Sequence, residues 1–120
     1  MPKSKVLIAE DDFTMVSLLT TLLKMEGYQV ASLDADGDVL EAVRRETPDV
    51  LIMDVHLFGQ NGLDILTALR ESEETHALRV IMSSGSNVKE ECMHRRANGF
   101  LMKPYMPDDL FKLLKKVLAA

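Results

Sequence analysis

The chain has 120 residues, of which 47% are hydrophobic and 28% are charged, and its formal net charge is −5. This length predicts one domain, residues 1–120, and no apolar run approaches the roughly 20 residues that a membrane-spanning helix needs. The negative charge argues against nonspecific binding to nucleic acid. The single Cys92 cannot form an internal disulfide, and no apolar segment near the start is long enough for a signal peptide, so we expect a cytoplasmic protein.

The first strand and the first helix are predicted within residues 6–27. Residues 6–9 are continuously apolar, as in a strand that is covered on both faces. The segment that follows has apolar residues at helical spacing and reaches Gly27, a residue that can adopt the left-handed conformation that ends many helices. The stripe expected to face the core consists of Met15, Leu18, Leu19, Leu22 and Met25.

The second strand and helix follow directly. Residues 28–33 alternate between apolar and polar side chains, which is typical of a strand at the edge of a sheet. Asp36 is predicted to cap a helix that turns Val39 and Val43 inward. This helix is expected to end before Thr47-Pro48, because the residue preceding a proline disfavours helical conformation.

The second half of the chain continues the alternation with three strands and three helices. Asn61 and Asp64 are typical of a capped helix start, and Pro107 suits the first position of the last helix. The helix between them, at roughly 88–96, has few apolar residues. The predicted strands are 50–53, 80–82 and 99–102.

Regular alternation of strands and helices predicts βαβ units and a parallel sheet. The continuously apolar strands are expected at the centre, and the alternating second strand and the short fifth strand at the edges. With right-handed crossovers, these choices predict an α/β fold of the flavodoxin-like type: a doubly wound five-stranded parallel sheet in the order 2-1-3-4-5, with helices on both faces.

Four of the predicted strands end in residues suited to handling a phosphoryl group. Glu10-Asp11 follows the first strand, Asp54 the third, Ser84 the fourth and Lys103 the fifth. Ligands of open α/β sheets bind at the carboxyl edge, so these side chains are expected to converge. Carboxylates about 5 Å apart repel by roughly 3 kcal/mol at an effective dielectric of about 20. A retained proton or a cation would relieve that repulsion, and a carboxylate cluster with open water positions suits Mg²⁺.

The Asp54 carboxylate follows the most buried strand and could act as a nucleophile that forms an aspartyl phosphate. A metal ion would neutralise charge on the incoming phosphoryl group. Lys103 would supply positive charge to one phosphoryl oxygen, and the Ser84 hydroxyl would donate a hydrogen bond to another. Phosphoryl transfer depends mainly on such positioning and electrostatic stabilisation.

These residues resemble the receiver domain of two-component response regulators, the CheY-like family, over essentially the whole chain. The resemblance rests on Glu10-Asp11, Asp54, Asn61-Gly62, Ser84-Gly85 and Lys103-Pro104. It implies that Asp54 accepts a phosphoryl group, in the presence of Mg²⁺, from a histidine kinase or a histidine phosphotransfer protein. It also implies a phosphoprotein of a phosphorelay that dephosphorylates itself, and not an enzyme that turns over a separate substrate.

The resemblance assigns further roles at the site. Asp11, Asp54 and the backbone carbonyl of His56 would bind Mg²⁺ directly, and Glu10 would act through water. Ser84 and Lys103 would contact the phosphoryl group. The switch residues would be Ser84 and Phe100, and Lys103-Pro104 matches a cis-proline position.

The chain departs from the family pattern at two positions. Phe58 stands where the family commonly has proline, which puts the rigidity of that loop in question. Phe100 stands in place of tyrosine at the switch position, so no hydroxyl is present there. The expected partners are the kinase or phosphotransfer protein and a downstream effector that binds the face formed by residues 88–118, with a phosphorylation-dependent homodimer as an alternative. No direct contact with nucleic acid or membrane is expected.

Two other functions are compatible with parts of the pattern. A receiver-like module could bind its partner independently of phosphorylation, although such modules usually lose a site residue, and none is lost here. A haloacid-dehalogenase-type phosphatase also combines Asp, Ser or Thr, Lys and Mg²⁺. Its nucleophile follows the first strand in a D-x-D pattern, whereas this chain has Glu10-Asp11-Asp12 there.

Overall fold

Five parallel strands form the centre of the computed structural model, which describes residues 4–33 and 37–119. Numbered in chain order, the strands lie in the order 2-1-3-4-5 across the sheet, and every neighbouring pair is parallel. The predicted order and the predicted edge strands are therefore confirmed. The strands are β1 (Lys5–Ala9), β2 (Gln29–Ser32), β3 (Val50–Asp54), β4 (Arg79–Ser84) and β5 (Gly99–Met102).

Helices cover both faces of this sheet. The helices are α1 (Phe13–Met25), α2 (Val39–Glu46), α3 (Gly62–Glu71), α4 (Lys89–His94) and α5 (Pro107–Ala119). Alternate side chains of the central strands point to opposite faces, and two cores result. One core packs the sheet against α2, α3 and α4, and the other packs it against α1 and α5. Within the described residues, no helix combines the length and apolar character required to cross a bilayer.

The inward face of α1 differs from the predicted stripe. Leu19 and Leu23 are buried, whereas Leu18 is 51% exposed and Met25 is 78% exposed. Apolar residues occupy most turns of this helix, so their spacing alone does not select one face. The four-residue step from Leu19 to Leu23 follows the helical period and defines the side that packs on the sheet. The prediction for Leu18 and Met25 was therefore wrong.

The start of α2 is capped by Asp38, whose carboxylate accepts hydrogen bonds from the N–H groups of Leu40 and Glu41 at 2.9 and 3.4 Å. Val39 and Val43 are buried, as predicted. Asp36, which we predicted as the cap, lies outside the described residues. Several aspartates precede this helix, and only the one immediately before the first helical residue can cap it. The sequence pattern placed the start of the helix, and with it the cap, two residues too early.

Arg70 of α3 is a buried cation at the amino-terminal side of the sheet. Its guanidinium donates to the carbonyl oxygens of His76, Leu78 and Arg96 and to the side-chain oxygen of Asn98, at 2.6–3.1 Å. Burial lowers its pKa from the ordinary value, and nearby Arg96 adds to the effect. These bonds join the end of α3 to the α3–β4 connection and to the α4–β5 connection.

Candidate phosphoacceptor and metal site

Three carboxylates converge at the carboxyl edge of the sheet. Ala9 pairs with Met53 in the β1–β3 register, so Glu10 and Asp54 follow the two strands side by side. One oxygen from each of Glu10, Asp11 and Asp54 lies within 4.8 Å of the others. Glu10 and Asp54 are only 6% and 7% exposed, whereas Asp11 is exposed. Clustered hard oxygen donors that include one carboxylate open to solvent fit Mg²⁺, which keeps several of its waters.

The ammonium of Lys103 lies between two of these carboxylates. Its Nζ is 2.7 Å from Glu10 Oε1 and 3.1 Å from Asp54 Oδ2. The backbone N–H of Lys103 donates to the carbonyl of Ser84 at 2.8 Å, which fixes the end of β5 beside β4. Part of the carboxylate repulsion is therefore relieved by a cation that the chain itself supplies.

Burial perturbs the ionisable groups of the site. It raises the pKa of Glu10 to about 7, against the opposing hydrogen bond from Lys103 and with a further contribution from the charge of Asp54. Burial acts to lower the pKa of Lys103, but its bonds to the two carboxylates outweigh this, and the pKa is raised. The lysine thus keeps its charge at neutral pH. Burial also raises the pKa of Tyr105 to about 12, so this nearby phenol stays protonated.

Ser84 completes the row of strand-end residues. Asp54 pairs with Ser83 in the β3–β4 register, so Ser84 lies one residue beyond the level of Asp54 on the neighbouring strand. Ser84 is fully buried, and its Oγ accepts a hydrogen bond from the N–H of Ser86 at 3.0 Å. A hydroxyl that accepts one bond still has its own hydrogen to donate.

The loop that follows Asp54 is a short antiparallel hairpin, in which His56–Leu57 pairs with Gln60–Asn61. Its two central residues, Phe58 and Gly59, have φ of 47° and 76°. Positive φ at both positions is the arrangement of a type I′ turn, whose twist suits a two-residue hairpin. Phe58 in place of proline therefore does not leave this loop irregular. In the sequence, Gly59 indicates such a turn, whereas Phe58 does not, because phenylalanine rarely adopts positive φ.

The hairpin contacts the site through its backbone. The N–H of His56 donates to Asp54 Oδ1 at 3.3 Å, and the N–H of Phe58 donates to Asp11 Oδ2 at 3.2 Å. The His56 side chain is exposed. Sequence reasoning missed both of these contacts, because a backbone donor leaves no trace in a pattern of side chains.

Asn61 and Gly62 hold the start of α3 close to Asp54. The side chain of Asn61 caps the helix by accepting from the N–H of Leu63 at 2.9 Å. The N–H of Gly62 donates to the carbonyl of Val55 at 2.6 Å. A β-carbon on Gly62 would lie 2.5 Å from the carbonyl oxygen of Asp54, so only glycine allows this approach.

The two remaining predicted site residues lie on and just after β5. Phe100 is half-buried and packs against the core shared by α2, α3 and α4. The Lys103–Pro104 peptide bond is cis. The described residues thus bring Glu10, Asp11, Asp54 and Lys103 into one cluster, with Ser84 at the adjoining strand end. Phe100 lies on β5.

Comparison with known proteins identifies the class to which this fold and site belong. A family model described as the response regulator receiver domain matches residues 6–115. The chain therefore belongs to the response regulator receiver domain family of two-component systems, and the predicted resemblance is confirmed. Members of this family are phosphoacceptors, and the carboxylate cluster of this chain fits that role.

Particular relatives support the assignment. Protein PilH of Pseudomonas aeruginosa is 31% identical over 119 residues, which cover 97% of this chain and 98% of PilH. The DNA-binding response regulator MtrA of Mycobacterium tuberculosis is 27% identical over 108 residues, which cover 90% of this chain but only 47% of MtrA. The structure of the chemotaxis response regulator CheY4 of Vibrio cholerae superposes with a TM-score of 0.86 at 26% identity, covering 96% of this chain and 98% of CheY4.

Proposed function

We propose that Asp54 accepts a phosphoryl group from a phosphohistidine of a sensor histidine kinase or a histidine phosphotransfer protein. A carboxylate oxygen of Asp54 attacks phosphorus, the P–N bond breaks, and the electron pair passes to the imidazole, which then takes up a proton. The observation that carries this proposal is the cluster of carboxylates around Asp54. The buried Asp54 carboxylate lies 3.1 Å from the Lys103 ammonium, and one oxygen from each of Glu10, Asp11 and Asp54 lies within 4.8 Å of the others.

The ligands proposed for Mg²⁺ are Asp11, Asp54 and the backbone carbonyl of His56, with Glu10 acting through water. When bound, Mg²⁺ supplies positive charge that offsets the repulsion between the phosphoryl oxygens and the carboxylates. The other roles fall to this chain's own side chains. Lys103 bonds the acceptor before transfer and can shift its bond to a phosphoryl oxygen afterwards, and the Ser84 hydroxyl can donate to a second oxygen.

The proposal extends to partners and location. Phosphorylation on one aspartate, followed by self-hydrolysis, makes the protein a switch and not an enzyme with a separate substrate. Its output would be an effector bound at the face of residues 88–118, or a second copy of the chain, without direct contact with nucleic acid or membrane. Because histidine kinases draw phosphoryl groups from ATP, the proposal places the protein in the cytoplasm.

Acetyl phosphate tests this function without knowledge of the natural donor. Incubation with acetyl phosphate and Mg²⁺ should add one phosphoryl group, detected by intact-mass spectrometry, and hydroxylamine should remove it because it cleaves acyl phosphates. A protein that stays unmodified at saturating Mg²⁺ would favour the phosphorylation-independent binding module. The phosphatase alternative would instead predict multiple turnovers of acetyl phosphate without an acceptor residue on β3. Membership of the receiver domain family argues against this alternative.

Asp11→Asn is expected to weaken Mg²⁺ binding by at least about tenfold, because it removes one of the two carboxylates proposed as direct ligands. The apo protein should be as stable as wild type or more stable, since the change relieves repulsion and the amide oxygen can still accept from Phe58. Urea melts with and without Mg²⁺ measure both effects, and Asp12→Asn, which removes a neighbouring exposed charge, is the control. Loss of more than about 1 kcal/mol in the apo state would contradict this account.

Phosphorylation is expected to change the face formed by α4, β5 and α5. Ser84 should move toward the phosphoryl group, Phe100 should turn inward, and the short α4 should shift between two packings. Amide chemical-shift changes on adding beryllofluoride, a phosphoryl mimic, should therefore concentrate within residues 84–106. Chemical-shift changes confined to the residues around Asp54 would contradict this prediction, because the proposed output surface would not respond to the phosphoryl mimic.

A further inference from the structure

The hairpin after Asp54 contacts both carboxylates that are proposed to bind metal directly. At its base, His56 N–H donates to Asp54 Oδ1, and at its tip, Phe58 N–H donates to Asp11 Oδ2. The tip bond spans 47 residues of sequence and links the β3–α3 connection to the β1–α1 connection. One small element of backbone therefore orients side chains that come from two different strands.

The bond at the tip depends on the unusual conformation of Phe58. Its φ of 47° is uncommon for a bulky residue, and it is followed by Gly59 at 76°. The Phe58 ring packs against the core on the α2, α3 and α4 side, and neighbouring Leu57 is fully buried, which holds the turn in place. A proline at this position would have neither the N–H nor access to positive φ.

We propose that the hairpin tip is a positioning element for the metal site, in which the backbone N–H of Phe58 holds one oxygen of Asp11 and so presents the other to the cation. This inference rests on the proposed Mg²⁺-dependent function. A carboxylate held by an outer hydrogen bond loses less freedom when it binds a metal, and such partners typically change metal affinity by about 10–100-fold.

The coupling works in both directions. If the ordered hairpin tip strengthens binding of Mg²⁺, then bound Mg²⁺ must stabilise the hairpin tip by the same factor. Occupancy of the metal site would therefore order the loop that carries His56, whose own N–H bonds the acceptor carboxylate. The geometry of Asp54 is thus set in part by whether the metal is bound.

Two substitutions at one position separate the backbone contribution from that of the ring. Phe58→Pro and Phe58→Asn both remove the ring, but asparagine keeps the N–H and creates Asn-Gly, the pair that a type I′ turn favours. Titration with Mg²⁺, followed by backbone amide NMR, should show affinity reduced about tenfold or more in Phe58→Pro and close to wild type in Phe58→Asn. Equal weakening in both variants would assign the effect to the ring and overturn the proposal.

A measurement on the wild-type backbone covers the case in which Phe58→Pro does not fold. Exchange of the Phe58 amide with water should slow when Mg²⁺ is added and should quicken in Asp11→Ala. An exchange rate that neither change alters would overturn the proposed bond. Wild-type protein that binds no Mg²⁺ at all would remove the metal from the proposed function as well, whereas normal Mg²⁺ binding in wild type and Phe58→Pro alike would overturn only this inference.

Discussion

Asp54→Asn is expected to reduce incorporation of a phosphoryl group from acetyl phosphate to below detection. The substitution keeps the size and shape of the side chain, and the amide oxygen can still accept the hydrogen bonds that Lys103 and the N–H of His56 now donate to the carboxylate. It removes the nucleophile, because an amide lacks the charged oxygen that attacks phosphorus. Intact-mass spectrometry of both proteins under identical conditions, at saturating Mg²⁺, measures the effect.

Asp12→Asn is the matched control for this experiment. Asp12 is exposed and caps α1 by accepting from the N–H of Met15 at 3.2 Å, a role that asparagine performs equally well. The control removes the same charge from nearly the same place but leaves the proposed acceptor intact, so its phosphorylation should match that of wild type. Equal modification of Asp54→Asn and wild type would mean that another residue is the acceptor, and exposed Asp11 would be the first to examine.

The sheet could be predicted from the sequence because burial differs between its strands. The runs at 6–9, 50–53 and 80–82 have no polar residue, and such strands must be covered on both faces, which places them at the centre. Once the order of the parallel strands is known, the topology predicts that Asp54 lies beside Glu10 and that Lys103 lies close to both carboxylates. Residues up to 93 positions apart are thereby brought within 2.7 Å.

Other features depend on detail that side-chain patterns do not contain. The inward face of α1 was ambiguous because apolar residues such as Leu18 also occur on its outer side. An arginine in a helix, such as Arg70, is usually exposed to solvent. Its burial is favourable here only because several carbonyl oxygens lie where the guanidinium can donate to them. The contact from Phe58 to Asp11 depends on the sign of one backbone angle. Each of these requires knowledge of how neighbouring segments pack.

Gly62→Ala is expected to destabilise the protein by about 2 kcal/mol, as insertion of a methyl group into a filled site does. The added β-carbon would lie 2.5 Å from the carbonyl oxygen of Asp54 and 2.9 Å from the Cα of Val55. Both are backbone atoms, which cannot rotate away as a side chain can. Because Gly62 is the first residue of α3, relief of the clash must move the helix away from Asp54, the proposed acceptor. A displacement of about 1 Å can slow phosphorylation about 100-fold.

The sign of the stability change makes this prediction discriminating. In a helix without steric conflict, alanine in place of glycine adds up to about 1 kcal/mol of stability, so a loss must come from contact with the β3–α3 backbone. Gly85→Ala is the control, since its β-carbon would meet nothing within 4 Å and it follows the adjacent strand end of the same site. Urea unfolding and the rate of acetyl phosphate labelling should change in Gly62→Ala and stay near wild type in Gly85→Ala. If Gly62→Ala were as stable and as readily labelled as Gly85→Ala, the close approach of α3 would have no part in setting the position of Asp54.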